Sequence, residues 1–412
     1  MTGFTDELTA RLAALRREGL LRELRRVESP QGPRLQIGGE WLLNFSSNDY
    51  LGLAGHPALR EAARRAVDRF GAGCGASRLI CGSLAPLHEL EEALAAFKQT
   101  EAALTFATGY AAATGTLGAL LGRNDIVILD KLVHASLVDA ARLSGATLRV
   151  FAHNDLSELA DRLQWADAKR AATTTHKPQI LIVTESVFSM DGDAAPLREI
   201  VALKEKHGAW LMVDEAHGTG LYGVQQRGLA EELGVSGRIE IQMGTLGKAL
   251  GASGGFICGS RVLVDYLVNR ARSFMFSTAP VPAAAAAATA AIQLVQSPEG
   301  QTRRANLWQR VGELTPALVT LPRTGGGTPP EPAGGDADGT AARFRSAIIP
   351  LVIGGETAAV ATARRLRERG ILLPAIRYPT VARGRARLRI TLTADHTAAD
   401  VAELLAALQN AI

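Results

Sequence analysis

The stretch PLREIVALKEKHGAWLMVDEAHGTG, residues 196–220, carries the pattern that decides the fold. Apolar residues recur at helical spacing between Leu197 and Leu203, and a later run of four apolar residues ends in Asp214. A short apolar run that ends in a carboxylate is typical of a buried strand with a polar group at its carboxyl end. The stretch therefore predicts a β-α repeat, which builds a mostly parallel sheet covered by helices on both faces.

The same alternation extends in both directions, from about Leu104 to Ser260. The strand candidates are short apolar runs separated by longer amphipathic segments. They are LTFAT (104–108), DIVILD (125–130), LRVFAH (148–153), ILIVTES (180–186), AWLMVDEAH (209–217), IEIQMG (239–244) and GGFICGS (254–260). We therefore predict a seven-stranded, mostly parallel sheet in a large domain that spans residues 61–280.

The two ends of the chain predict smaller parts. Residues 1–60 read as a basic amphipathic helical arm followed by a strand pair around LQIGGEWLLNF, with Gly38-Gly39 as its turn. Residues 281–412 read as a linking helix and a small C-terminal α+β domain. Its predicted strands are SAIIPLVIG and RLRITLTA, and its predicted helices are TAAVATARRLRERG and TAADVAELLAALQ. The polar segments 165–178 and 324–340 are expected on surface loops.

Composition excludes several classes of protein. With 412 residues, 47% hydrophobic and 21% charged, the chain has the balance of an ordinary globular protein. The weakly polar stretch Val281–Val295 is too short and too rich in alanine to span a membrane. A net charge of +4 does not indicate nucleic-acid binding. Three cysteines without metal-ligand spacing, and an N-terminus without a secretory signal, predict a cytoplasmic protein with neither disulfides nor a metal site.

Lys248 is the first residue that suggests catalysis. It lies in TLGKALGASGGF, residues 245–256, among small residues directly after a predicted strand. A buried or half-buried lysine loses proton affinity and becomes an amine nucleophile that forms Schiff bases with carbonyl compounds. The alternative is a phosphate-binding lysine, but the pattern GxxxxGK[ST] is absent because Ala249 follows Lys248.

Asp214 and His217 add a partner for such a Schiff base. Asp214 ends a predicted buried strand, where the simplest explanation is a carboxylate that caps the strand. Pyridoxal phosphate offers a second explanation, because an acidic partner keeps its pyridinium nitrogen protonated and the ring able to accept electrons. His217 could then contact the phenolic oxygen of the ring or the substrate. With Lys248 thirty-four residues later, the cofactor explanation is the stronger one.

Five ordered motifs now carry a family resemblance. SSNDYLGL (46–53), DKLVHASLVDAA (130–141), TESVFSMDGD (184–193), VDEAHGTG (213–220) and GTLGKALGASGGF (244–256) resemble the α-oxoamine synthases. These are pyridoxal-phosphate enzymes of aminotransferase fold type I, and the resemblance covers nearly the whole chain. It implies the same fold, the cofactor pyridoxal 5'-phosphate and a homodimer with shared active sites.

The resemblance also implies roles for the cofactor site. Lys248 would form the Schiff base and remove the amino-acid α-proton, Asp214 would pair with the pyridinium nitrogen, and His134 would stack on the ring and meet the substrate. The catalytic set is then Lys248, His134, Asp214 and His217. The further cofactor contacts are Gly109, Tyr110, Ser189, Thr245, and, toward the phosphate of the other subunit, Ser277 and Thr278. The strand-to-helix turn at residues 108–110 independently supports this placement of the phosphate, since a helix N-terminus attracts anions.

The substrate residues follow from the same resemblance. Arg389 would clamp the amino-acid carboxylate, because a guanidinium offers two parallel donors, and Asn48 would assist it. Arg22 and Thr380 would contact the acyl substrate. The N-terminal arm is dense in arginine, so Arg25 stays an alternative to Arg22.

The expected reaction joins an amino acid to an acyl thioester with loss of carbon dioxide. FSTAPVP (276–282) and AIRYPTVARGRARLRITLTADH (375–396) are most similar to the biotin-pathway member, which condenses L-alanine with pimeloyl-CoA or pimeloyl-acyl carrier protein. A member that joins glycine to an acetyl thioester is the alternative within the family. A non-catalytic relative that serves as a binding or regulatory subunit is the alternative outside it, and the presence of Lys248 argues against that alternative.

Overall fold

The computed structural model describes residues 3–174, 177–319 and 345–411. Its residues cluster into two compact units. One unit consists of the chain through Gly52, Met190–Gly192 and the chain from Ala305 onward, and the other consists of Leu53–Ser189 and Asp193–Arg304. We call them the terminal unit and the central unit.

Helices and strands alternate along most of the described chain. The helices are α1 Phe4–Arg17, α2 Pro57–Phe70, α3 Ala85–Lys98, α4 Gly109–Leu120, α5 Ala135–Ser144, α6 Leu156–Ala172, α7 Leu197–Lys206, α8 Leu229–Glu232, α9 Arg261–Arg270, α10 Arg272–Met275, α11 Pro282–Val295, α12 Pro298–Val319, α13 Glu356–Glu368 and α14 Ala398–Gln409. The strands are β1 Arg34–Ile37, β2 Glu40–Asn44, β3 Ala102–Phe106, β4 Ile126–Asp130, β5 Thr147–Phe151, β6 Ile180–Glu185, β7 Trp210–Asp214, β8 Ile241–Thr245, β9 Gly255–Gly259, β10 Ile348–Gly354, β11 Ile371–Leu372, β12 Ala375–Ile376 and β13 Ala386–Thr391. A short 3-10 helix covers Ser236–Arg238.

A seven-stranded sheet forms the core of the central unit, in the order β3-β9-β8-β7-β6-β4-β5. β9 runs antiparallel to both of its neighbours, and the pairings from β8 to β5 are parallel. Every residue of β4 and β6 is buried, as expected for strands covered by helices on both faces. The predicted fold, a mostly parallel seven-stranded α/β sheet, is confirmed.

The parallel strands present polar side chains at one edge of this sheet. β4 ends at Asp130, β6 at Glu185, β7 at Asp214 and β8 at Thr245. Because parallel strands end at the same edge, these four residues belong to one side of the central unit. This is the edge where α/β enzymes form their binding sites.

The terminal unit contains two small sheets. β1 and β2 form the predicted hairpin, whose turn residues Gly38 and Gly39 have φ of 63° and 81°, a conformation that favours glycine. β11 joins this hairpin in parallel to β2, and β10, β13 and β12 form an antiparallel sheet. The predicted C-terminal strands and helices correspond to β10, β13, α13 and α14. The sequence did not predict the two-residue strands β11 and β12.

The two units divide the chain near residues 52 and 304, whereas the predicted domain boundaries are residues 60 and 280. The N-terminal segment belongs to the same unit as the C-terminal segment because β2 pairs with β11. The division into segments 1–60, 61–280 and 281–412 stays a prediction about folding domains. The predicted loop 165–178 begins as helix, because α6 continues to Ala172. The predicted loop 324–340 lies outside the described residues.

The alanine-rich segment after residue 281 forms α11, of 14 residues. Its small side chains at Ala285, Ala288 and Ala291 are buried, which allows close helix packing within the central unit. In the part of the chain that the structure describes, no helix has both the length and the apolar character to cross a bilayer.

Candidate active site

Asp214 is the carboxylate at the end of β7. It is buried, and its Oδ1 accepts a hydrogen bond from the N–H of Ala216 at 2.9 Å. Burial raises the pKa of Asp214, and the positive charge of Lys248 opposes that rise. The carboxylate is therefore held away from solvent, where a cationic partner would stabilise its charged form.

Lys248 and His217 meet at the same edge of the sheet. Lys248 Nζ lies 2.7 Å from His217 Nε2. Lys248 follows β8 and is half-buried, whereas His217 follows β7 and is buried. The two loops that sequence analysis selected thus bring an amine and an imidazole into hydrogen-bond distance beside Asp214.

His134 caps the N-terminus of α5. Its Nδ1 accepts from the N–H of Ser136 at 3.2 Å, and its backbone N–H donates to the carboxyl group of Glu185. The backbone N–H of Ser189 is also bonded to that carboxyl group. Glu185 therefore links two of the residues that the family resemblance selected.

Glu185 is the residue at this edge that sequence analysis missed. It ends β6 directly beside Asp214 on β7, and it is buried. Burial raises the pKa of Glu185 to about 8, and the charge of Asp214 adds to the rise. The signal was present, because ILIVTES ends a buried run in a carboxylate just as AWLMVDEAH does.

The start of α4 meets β8 and β9 closely. A Cβ on Gly255 would lie 2.6 Å from the Cα of Gly109, so glycine is required for this approach. The first N–H groups of a helix have no acceptor within it, which makes such a terminus a place for an anion. Tyr110 donates its hydroxyl to Asp139 at 2.8 Å, and Thr245 donates its hydroxyl to the carbonyl of Gly254 at 3.0 Å.

Ser189 lies in a turn that His153 holds. The N–H of Phe188 donates to the carbonyl of Asp193 at 2.9 Å. His153 Nε2 lies 2.6 Å from Asp193 Oδ2, its Nδ1 lies 3.0 Å from Asp130 Oδ1, and its ring meets the ring of Phe188 edge-on. Two carboxylates raise the pKa of His153 to about 10, although burial lowers it.

Ser277 and Thr278 follow α10. Ser277 is half-buried and Thr278 is exposed. Thr278 forms an antiparallel bridge with Ser77, which fixes the backbone at this position. The proposed contact of these two residues with a second subunit stays a prediction.

The predicted amino-acid clamp lies in the terminal unit. Arg389, on β13, is buried, and its Nη1 donates to Asn48 Oδ1 at 3.0 Å. Tyr50 is also buried, and its hydroxyl donates to the same Asn48 oxygen at 3.2 Å. Arg389 Nη2 lies 3.4 Å from the Tyr50 hydroxyl. Tyr50, which sequence analysis quoted without a role, thus helps to orient Arg389.

Arg22 and Thr380 share one neighbourhood of the terminal unit. Arg22 Nη2 donates to the carbonyl of Tyr378 at 3.2 Å, and Thr380 donates its N–H to the carbonyl of Arg377 at 3.0 Å. Arg377 in turn donates to the carbonyl of Leu21 at 2.6 Å. These reciprocal bonds place Arg22, one of the two alternatives, beside the segment of Thr380.

Comparisons with known proteins agree with this arrangement. The family model described as aminotransferase class I and II matches residues 40–408. The 8-amino-7-oxononanoate synthase of Anaeromyxobacter sp. strain Fw109-5 is 50% identical over 99% of this chain and 96% of its own. The 8-amino-7-oxononanoate synthase of Anaeromyxobacter sp. strain K is 48% identical over 98% of this chain and 95% of its own. The serine palmitoyltransferase of S. paucimobilis, solved with a bound PLP-myriocin aldimine, is 29% identical with a TM-score of 0.86 and covers 98% of this chain and 96% of its own.

The chain therefore belongs to the class I and II aminotransferase family. Within that family it belongs to the 8-amino-7-oxononanoate synthases, whose curated sequences match nearly its full length.

Proposed function

We propose that this chain condenses L-alanine with a pimeloyl thioester to give 8-amino-7-oxononanoate, carbon dioxide and the free thiol carrier, a step of biotin biosynthesis. The single observation that carries the chemistry is the 2.7 Å contact between Lys248 Nζ and His217 Nε2 beside the buried Asp214. An amine, an imidazole and a carboxylate at the carboxyl ends of adjacent strands are the groups that this reaction requires.

Pyridoxal 5'-phosphate fits the residues at this edge. A buried carboxylate at Asp214 suits a protonated pyridine nitrogen, and the N-terminus of α4, which begins at Gly109, suits a phosphate. When bound, the cofactor supplies an electron sink that makes the amino-acid α-proton acidic. Gly109, Tyr110, His134, Ser189, Thr245 and His217 would form the remainder of its site.

Lys248 has two tasks in this proposal. Its amine would hold the cofactor, and the same amine, once free, would accept the α-proton of the amino acid. His217 holds Lys248 Nζ in place through the hydrogen bond between them. His134 would cover the cofactor ring, with its backbone fixed by the carboxyl group of Glu185.

Arg389 would bind the carboxylate of L-alanine through two parallel hydrogen bonds. Asn48 and Tyr50 keep the guanidinium in one orientation, so little side-chain entropy is lost on binding.

The acyl substrate would meet Arg22 and Thr380. The bond from Arg22 to the Tyr378 carbonyl favours Arg22 over Arg25, because it places Arg22 beside the segment of Thr380. A guanidinium near the acyl chain suits the far carboxylate of a pimeloyl group or its ester. The thiol carrier would be coenzyme A or acyl carrier protein.

We also propose a cytoplasmic homodimer with shared active sites. Ser277 and Thr278 would reach the cofactor phosphate of the second subunit. The exposure of Thr278 and its bridge to Ser77 support this role, because a contact across subunits needs an accessible and fixed backbone.

A matrix of amino acids against acyl thioesters tests the proposed substrates. L-alanine with pimeloyl thioester should exceed glycine with acetyl thioester in kcat/KM by at least about tenfold, a difference of about 1.4 kcal/mol in transition-state stabilisation. Each buried methylene contributes about 0.8 kcal/mol, so the longer chain can supply this margin. Equal efficiency, or a preference for glycine and acetyl, would contradict the proposal and indicate a glycine C-acetyltransferase.

A further inference from the structure

Lys98 is a buried cation that none of the proposed catalytic steps uses. It is the last residue of α3, and only 1% of its surface is exposed. Burial lowers the pKa of Lys98, and the charge of Glu215 is the strongest of the forces that oppose this. A buried lysine is costly to fold unless its ammonium is paired and hydrogen-bonded, so its partners indicate what it does.

The ammonium of Lys98 forms hydrogen bonds with two separate positions of one loop. Its Nζ donates to the hydroxyl of Thr219 at 2.8 Å and to the carbonyl of Arg227. It also lies 5.9 Å from the ring centre of Phe97 and 5.7 Å from that of Phe256. Thr219 and Arg227 belong to the segment between β7 and α8, residues 215–228, which we call the histidine loop because it carries His217.

Glu215 fixes the histidine loop from within. Its carboxylate accepts from the hydroxyl of Ser186 at 2.7 Å and from the N–H of Ala230 at 2.8 Å. Its carbonyl accepts from the N–H groups of Gly218 and Thr219 at 3.0 and 2.8 Å. A Cβ on Gly218 would lie 2.0 Å from Glu215 Oε2, so the loop packs without spare room.

His217 lies between these two anchors. Glu215 is two residues before it and Thr219 is two residues after it, while its Nε2 reaches Lys248 Nζ at 2.7 Å. From this placement we infer that Lys98 is a positioning residue, which holds the histidine loop so that His217 stays within hydrogen-bond distance of Lys248. Lys98 touches none of the reacting atoms and acts through Thr219 and the loop backbone.

The inference rests on the proposed roles of Lys248 and His217. Catalysis is sensitive to such positioning, since a misplacement of about 1 Å can cost about 10²-fold in rate. Loss of Lys98 should therefore change the surroundings of the Lys248 amine and not merely the stability of the fold.

The test compares two buried lysines of the central unit in the cofactor-loaded protein. Lys98→Met removes the ammonium and keeps the side-chain length. Lys204→Met is the matched control, because Lys204 is also buried but pairs with Glu240 near the amino ends of β7 and β8. Thr219→Val removes the acceptor hydroxyl with little change of shape, and it answers the question if Lys98→Met does not fold.

Three readouts separate positioning from stability: the thermal midpoint, kcat with L-alanine and pimeloyl thioester, and the pH midpoint of the visible absorbance of the lysine-bound cofactor. We expect Lys98→Met to lower kcat about tenfold and to shift the pH midpoint, and Thr219→Val to do so more weakly. Lys204→Met should lower the thermal midpoint, change kcat by less than about twofold and leave the pH midpoint unshifted. A Lys98→Met or Thr219→Val protein that matches Lys204→Met in all three readouts overturns the inference. A wild-type protein without the visible absorbance would instead contradict the proposed function.

Discussion

Glu185 and Asp214 end neighbouring parallel strands as direct register partners, so two buried carboxyl groups lie side by side at the edge of the sheet. Burial raises the pKa of both groups, and the charge of Asp214 raises that of Glu185 further, to about 8. At neutral pH Glu185 therefore keeps its proton, while Lys248 favours the charged form of Asp214. The pair would therefore supply one negative charge for a protonated cofactor nitrogen. The predictions below concern these two residues and their neighbours.

Asp214→Asn should bind the cofactor and lose α-proton chemistry. The amide keeps the shape of the side chain but cannot hold the cofactor nitrogen in its protonated form. We expect exchange of the α-hydrogen of L-alanine with solvent deuterium, followed by NMR, to fall at least about 10²-fold. Asp167→Asn, on α6 in contact with Arg170 and His207, is the control and should keep most of this exchange. Unchanged exchange in Asp214→Asn would remove Asp214 from the mechanism.

Glu185→Gln should flatten the pH dependence of stability on the acid side of neutrality. Between pH 4.5 and about 8 the folded protein keeps a proton on Glu185 that the unfolded chain releases. The free energy of unfolding therefore falls as pH rises through this window, and a glutamine abolishes that decrease. Urea unfolding at a series of pH values measures the slope. Parallel slopes for the variant and the wild type would show that Glu185 titrates normally.

His153→Gln should flatten a second and more alkaline part of the same curve. The pKa of His153 rises from 6.5 to about 10 between Asp130 and Asp193, so its contribution to stability is complete below pH 6.5 and is lost as pH rises through about 10. Leu163→Ala, a buried apolar residue of α6, is the control and should lower stability equally at every pH. If His153→Gln also lowers stability equally at every pH, the paired imidazolium is absent.

Arg389→Lys should weaken the binding of the amino acid. A lysine cannot offer two parallel donors, so KM for L-alanine should rise at least about tenfold. Tyr50→Phe removes the hydroxyl at 3.4 Å from Arg389 and should raise KM less. Arg385→Lys, an exposed residue that precedes the same strand, is the control. An unchanged KM in Arg389→Lys would place the carboxylate site elsewhere.

The sequence predicted what depends on local pattern and motif. Apolar runs of four residues mark β4, β6 and β7 because these strands are buried, and the Gly38-Gly39 turn marks the hairpin. The sequence did not predict β11, because two residues are too few to show an alternating hydrophobic pattern. Its pairing with β2 also joins segments more than three hundred residues apart. Residue spacing does not predict such long-range pairing.

Lys98 and His153 were missed for a different reason from β11. Lys98 ends an amphipathic helix and His153 follows a strand, positions where a charged side chain usually faces solvent. Their importance depends on burial against Thr219 in one case and between two carboxylates in the other, which is a property of tertiary structure. Glu185 differs from both, since the rule that selected Asp214 at the end of its strand would also have selected Glu185.

The central claim is that the Lys248 amine carries the cofactor. The most direct test reduces the pyridoxal-phosphate-loaded protein with borohydride, which makes an amine attachment permanent, and maps the modified peptide by mass spectrometry. We predict that the cofactor mass lies on Lys248 in the wild type and is absent from that peptide in Lys248→Ala, which should also retain less than about a hundredth of the turnover. Cofactor mass on another lysine, or an unmodified Lys248 in a protein that turns over L-alanine and pimeloyl thioester, would contradict the account.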